Sequence, residues 1–172
     1  PITSSWHYLI GSEPPSNWFQ SALSAEWPQS QPAALPVLTG ITSYYCTTFR
    51  ASYASYTSAF SVSVSARGGV VVYLNGVEIN RARLPAGEIS FYTKPTNETA
   101  EATSIVFSGS IQFLPFVVDA SAQVEGGREG DNNRLCIELH RSSPLEEANY
   151  FTAAMEAIAS GSDRVVEGWA WG

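Results

Sequence analysis

The run Val70-Val71-Val72-Tyr73-Leu74-Asn75-Gly76-Val77-Glu78-Ile79-Asn80 constrains this chain more than any other feature. Asn-Gly between two apolar runs is the preferred centre of a two-residue type I′ turn, because both turn positions need positive φ. The run therefore predicts a hairpin of two antiparallel strands turning at Asn75-Gly76. Its surroundings read the same way. In Phe60-Ser61-Val62-Ser63-Val64-Ser65 the period is strictly two, which puts Phe60, Val62 and Val64 on a core and the serines in water. Residues 43–49, Ser-Tyr-Tyr-Cys-Thr-Thr-Phe, also alternate and are rich in aromatic and β-branched side chains. Residues 134–141 alternate again, with Leu135, Ile137 and Leu139 on one face and Cys136, Glu138 and His140 on the other.

Only 15% of the chain is charged, against about 25% in an average globular protein, and Ser and Thr fill the deficit. Exposed helices carry Glu, Lys and Arg at three- and four-residue spacing, so this exchange favours sheet. The expected fold class is all-β, an antiparallel β-sandwich, and 172 residues suit one domain.

Residues 1–42 form an expected N-terminal arm. Trp6, Trp18 and Trp27 are interspersed with Pro14-Pro15, Pro28, Pro32 and Pro36, too many prolines for a long helix. We expect an extended arm with a short strand at Trp6-His7-Tyr8-Leu9 and its tryptophans over the sandwich, which occupies 43–172. Residues 84–87 are a turn, 89–92 a short strand, and 93–103 a polar loop. An apolar stretch over 104–119, interrupted by Gly109 and Pro115, reads as two strands or one with a bulge. The Ala-, Glu- and Met-rich stretch 145–158 leans helical on propensity. Residues 165–171 read as a last strand. Pro1 and Trp171-Gly172 look like cuts through a longer chain.

Net charge is -7, and the nine basic residues, eight Arg and Lys94, are scattered, so a nucleic-acid partner is not expected. No run approaches the ~18 apolar residues of a span, so no membrane insertion is expected in this segment. Cys46 and Cys136 permit a single intramolecular pairing, with two free thiols as the alternative. Asn97-Glu98-Thr99 is a glycosylation sequon in a polar loop. Together with the Ser/Thr-rich, Lys-poor composition these features favour an extracellular or cell-surface location.

Catalytic constellations are hard to assemble from this chain. His7 and His140 are its two histidines; His140 reads as a surface or rim residue and His7 as packed between Trp6 and Tyr8. The acidic pairs Glu129/Asp131 and Glu146/Glu147 read as solvated. No Gly-x-Ser-x-Gly elbow and no zinc spacing occurs. The loop 126–133 offers oxygen ligands and turns compatible with calcium, yet it matches neither an EF-hand nor a Gly-Gly-x-Gly-x-Asp repeat. No metal ligand and no cofactor is assigned.

Tyr44-Tyr45-Cys46-Thr47-Thr48-Phe49, Val72-Tyr73-Leu74-Asn75-Gly76-Val77-Glu78-Ile79-Asn80-Arg81, Leu84-Pro85-Ala86-Gly87 and the run from Gly130 to His140 resemble extracellular modules of the galactose-binding-like, jelly-roll family across roughly residues 6–158. The resemblance implies that the stretch around residues 151–158 is a strand. It also implies that the strands holding Cys46 and Cys136 are neighbours, hence a disulfide. Trp6, Trp18 and Trp27 fall where this family has core-covering tryptophans. The Asp-Asp-Gly such modules carry before the hairpin is here Ala66-Arg67-Gly68-Gly69, which puts in doubt any ligand those acids hold.

The expected function is a non-catalytic interaction or structural module that packs against neighbouring domains or protein partners. The alternative is a carbohydrate-binding module. Its candidate aromatic platforms are Tyr53 and Tyr56 between two strands, and Trp169 and Trp171 near the end.

Overall fold

A computed structural model describes residues 5–20, 26–30, 40–50, 57–99, 103–109, 132–143, 152–159 and 164–165. Among the described residues there are ten strands and no helix: β1 (Trp6–Ile10), β2 (Gln29–Ser30), β3 (Thr42–Arg50), β4 (Thr57–Ala66), β5 (Gly69–Leu74), β6 (Val77–Ala82), β7 (Thr103–Gly109), β8 (Asn132–His140), β9 (Thr152–Ala159) and β10 (Arg164–Val165). They form a six-stranded sheet, β2-β1-β3-β8-β5-β6, and a four-stranded one, β10-β9-β4-β7, with every pairing antiparallel. The protein is an all-β antiparallel sandwich. Trp6, Tyr45, Val70, Val72, Leu74, Leu135, Ile137 and Leu139 of the large sheet meet Val62, Val64, Ala66, Phe107 and Ala153 of the small one.

The hairpin turns where the sequence predicts. Asn75 and Gly76 have φ of 51° and 78°, and Leu74 faces Val77 across the turn. Asn75 is also tied to β8, since its Oδ1 accepts from the Arg134 amide at 2.8 Å. A Cβ at Gly76 would adopt a strained φ and lie 3.1 Å from Gln20 Cγ. Gly76→Ala is expected to cost about 1–2 kcal/mol, the left-handed penalty, in urea unfolding.

The register shift between Val72 and Tyr73 also decides where two charges lie. Residues three apart on a regular strand point to opposite faces. The bulge adds one residue and brings Glu78 and Arg81 to the same side, where they pair through two bonds of 2.6 and 2.7 Å. Arg81 then donates to the carbonyls of Pro85 and Gly87 at 3.2 and 2.7 Å and holds the start of the following connection.

The two sheets bury their strands differently. On β4 the alternation holds: Val62, Val64 and Ala66 are buried, while Ser61, Ser63 and Ser65 are half-buried. On the described parts of β3, β5 and β8 burial is nearly continuous on both faces. Behind the large sheet, Trp18, Trp27, Tyr44, Cys46, Val71, Tyr73 and Cys136 form a second cluster, joined by Leu9, Phe19, Leu84, Ile89 and Phe91. Trp18 packs on Tyr44 and Tyr73 at ring distances of 4.9 and 5.5 Å and stacks on Trp27 at 5.9 Å. Trp6, by contrast, belongs to the core between the sheets.

The strand that the resemblance implies around residues 151–158 is present, against the helical leaning of 145–158 on propensity: Thr152–Ala159 pairs with β4 in register from Thr57↔Ala159 to Ser65↔Thr152. Tertiary pairing overrides Ala propensity there. The short strand expected at 89–92 is replaced by a turn from Ser90 to Thr93: the Thr93 amide donates to the Ser90 carbonyl at 2.9 Å, and the Ser90 amide to Thr93 Oγ1 at 2.7 Å. Short hydroxylated side chains bonding to nearby backbone compete with sheet formation.

Candidate functional site: a long connection held over a buried Tyr–Glu–His cluster

Residues 83–99 link β6 toward β7 without strand or helix. Connections longer than about 12–15 residues without regular structure are uncommon in compact domains and usually carry function or disorder. This one is ordered, and the chemistry that orders it lies on the second face of the large sheet. Alternation brings Tyr73 of β5, Glu138 and His140 of β8 and Thr42 of β3 to that face as register neighbours, with Thr42 opposite His140 and Tyr73 opposite Cys136.

These side chains form one network. The Tyr73 hydroxyl donates to Glu138 Oε2 at 3.0 Å, and Glu138 Oε1 lies 2.9 Å from His140 Nε2. His140 Nδ1 lies 2.7 Å from the Thr93 carbonyl, which can only accept, so Nδ1 carries a hydrogen. The Thr42 hydroxyl spends its own hydrogen on the Phe91 carbonyl at 2.5 Å and accepts from Nδ1 at 3.1 Å. Nε2 and Oε1 then share the one remaining hydrogen. Burial first, and the Glu138 charge second, push the Tyr73 hydroxyl well above its ordinary range, so it remains a donor.

The consequence is mechanical. The carbonyls of Phe91 and Thr93, on either side of Tyr92, are both held from below by buried donors. Further along, the Thr96 amide donates to the Arg83 carbonyl and the Thr99 amide to the Arg67 carbonyl, while Glu98 Oε1 accepts from the Ser142 amide at 2.6 Å. Arg83, at φ 55°, donates to the carbonyls of Ala66 and Arg67 at 2.7 and 3.0 Å and to Thr99 Oγ1 at 3.0 Å. Ala66-Arg67-Gly68-Gly69 thus works as an anchor for this connection. Gly68 is required there, since a Cβ would fall 1.9 Å from the His140 carbonyl oxygen.

On this frame Tyr92 stands 70% exposed, its ring edge-on to Phe91 at 5.0 Å. Lys94 and Asn97 are exposed too, so the sequon asparagine faces solvent. Sequence reasoning passed over Tyr92, Lys94 and Glu138 as site residues. The spacing Glu138-x-His140 was a usable signal, because it places a carboxylate and an imidazole on one face. The rim position expected for His140 is corrected: it is fully buried, because residues from the arm and from this connection cover that face. Cys46 and Cys136 are joined as directly opposed residues, Cα to Cα 4.2 Å, buried beneath the same cover. Tyr53, Tyr56, Trp169 and Trp171, the platforms expected for a ligand, lie outside the described residues, as do positions 126–131 of the loop considered for calcium and 166–171 of the expected last strand. Among the described residues no group of three or more His, Cys, Asp or Glu could hold a metal ion.

His7, on β1 opposite Cys46, contacts the Gln29 side chain. Burial first, and the Arg134 charge second, lower its pKa below the ordinary value of 6.5. The fold therefore favours the neutral ring, whereas the unfolded chain takes up a proton as pH falls through about 6.5. Stability from this group is present above that pH and lost on acidification below it. His7→Gln is expected to flatten this part of the acid limb, read as the difference between variant and wild-type Tm from pH 7.5 down to 5.

The architecture and the covered polar face define the class at hand, an antiparallel β-sandwich that displays a fixed loop. No protein-family model and no curated protein matches the chain. Among solved structures, it is similar to a β-glucuronidase from an uncultured Clostridium sp., with 15% identity and a TM-score of 0.45, over 81% of this chain and 21% of that one. The chain thus spans about a fifth of that enzyme's length. It is also similar to a PA14 sugar-binding domain from an RTX adhesin, with 8% identity, TM-score 0.43 and full coverage of both chains. A third similarity is to the PA14 domain of the antifreeze protein MpAFP, with 8% identity and TM-score 0.42, over 98% of this chain and 90% of that one. With TM-scores below 0.5, these likenesses decide neither family nor ligand.

Proposed function

We propose that this chain is a non-catalytic extracellular interaction module of the galactose-binding-like kind, and that residues 83–99 form its contact surface. The observation that carries the reading is Tyr92, exposed at 70% on a backbone whose flanking carbonyls are clamped by Thr42 and His140. A tyrosine contributes large contact area at low entropic cost, and a preorganised loop gives up little freedom on binding. Glu138 and His140, the pair suited to acid–base work, are 4% and 0% exposed, and their bonding capacity is spent inside the fold. The buried Cys46–Cys136 bridge favours an oxidising compartment. Asn97 is then available as a glycan acceptor on the same loop. The partner is a neighbouring domain, another protein or a glycan.

The test compares wild type with Tyr92→Ser. Self-association is followed by sedimentation velocity, and glycan binding on an array. Tyr92→Ser is expected to abolish whichever association the wild type shows while leaving Tm unchanged. Association retained in full by the variant overturns the assigned surface. Turnover of a chromogenic ester or glycoside that disappears in Glu138→Gln overturns the non-catalytic assignment.

A further inference from the structure

Resting on that reading, we infer that residues 92–94 form a subsite for an acidic sugar residue, a uronate or a sulfated pyranose. The protein carries a net charge of -7, so an anionic ligand approaches it against the overall field unless it meets a local cation. Most of the described cations are already engaged. Arg81 pairs with Glu78 and two carbonyls, Arg83 bonds to carbonyls and to Thr99, and Arg67 bonds to the Thr99 carbonyl at 3.2 Å. Arg134, Arg141 and His140 are buried, and His7 is half-buried.

Among the described side chains, Lys94 is the one exposed cation, and it enters no ion pair there. Tyr92 is the one large exposed aromatic among them, the other large exposed apolar side chains being Val77 and Val106. Tyr92 and Lys94 stand two residues apart on the clamped backbone. Glu98, the acid nearest in sequence, accepts from the Ser142 amide; Glu88 is exposed and lies before the turn at residues 91–92.

A flat ring presented to water suits the apolar face of a pyranose, and an ammonium on a flexible stem suits a single carboxylate or sulfate. A neutral sugar would use the ring and leave the ammonium idle. An acidic peptide would use the ammonium and have little need of the ring.

The experiment titrates the whole chain, by NMR or calorimetry at low salt, with trigalacturonate, its fully methyl-esterified neutral form, a sulfated disaccharide and a polyglutamate peptide. Trigalacturonate or the sulfated sugar is expected to bind, Tyr92→Ala weakening it by at least about tenfold. Lys94→Gln, and esterification of the galacturonate, are each expected to weaken it by about fivefold, as for an exposed ion pair. Equal binding of acid and ester, no effect of Lys94→Gln, or peptide binding that ignores Tyr92 overturns the acidic-sugar subsite. So does failure of both acidic sugars to bind. In each of those cases the contact-surface reading stands if Tyr92→Ser still abolishes the association of the wild type, and falls separately if it does not. Unchanged Tm in both variants shows that the loss is local.

Discussion

His140→Ala is expected to destabilise the protein by about 2–5 kcal/mol, because two buried polar groups lose their hydrogen-bond partner at about 1–3 kcal/mol each. The substitution leaves Glu138 Oε1 facing a void and takes from the Thr93 carbonyl its buried donor. A contrast separates this network from mere packing. In Glu138→Gln, the amide can donate to His140 Nε2 while its oxygen accepts from Tyr73, so every polar group keeps a partner. That variant is expected to stay within about 1 kcal/mol of wild type, since one satisfied hydrogen-bond set replaces another. Urea unfolding measures both. The local effect is read by chymotryptic cleavage after Tyr92, which should accelerate in His140→Ala under conditions where the rest of the fold persists. Equal losses in the two variants would mean that this pair does not work as described.

The second large effect concerns the cysteines. The bridge closes a loop with a sequence separation of 90 between Cys46 and Cys136. In the chain-entropy account, closing about 90–100 residues removes roughly 4–5 kcal/mol of unfolded-state freedom, and removing native disulfides typically costs 2–5 kcal/mol. Cys46→Ala/Cys136→Ala is therefore expected to lose about 3–5 kcal/mol, with a larger urea m-value because the unfolded chain expands further. Both cysteines are at most 1% exposed, so a reductant should act on the wild type only after unfolding. A double variant within about 1 kcal/mol of wild type would show that the sheet register, already set by nine β3–β8 pairs, makes the bridge redundant.

Much of the frame was legible in the sequence. Asn75-Gly76 placed its turn because few residue pairs accept two successive positive φ angles, a local steric fact. The alternation of Val62 and Val64 with serines identified a strand with one dry face, as found on β4. The neighbouring positions of Cys46 and Cys136 came through the resemblance to the galactose-binding-like family. The strand at 152–159 runs against its own propensity; the resemblance implied it, and pairing with β4 holds it in place.

The candidate site was half legible. Period two showed that Cys136, Glu138 and His140 share a face, yet it carries no information about what lies over that face. With polar residues there, water was the natural expectation. The cover comes from Trp18 and Trp27, more than 100 residues before His140, and from Leu84, Ile89 and Phe91, some 50 residues before it. Their contacts with β8 leave no local pattern. The sequence by itself determined the turn, the alternation and which side chains stand together. Only the tertiary structure decided that the polar face is buried, that Glu138 and His140 are clamps, and that Tyr92 is held out into solvent. Residue periodicity is set by the backbone of a single strand, whereas burial is set by segments that meet only after the chain has closed.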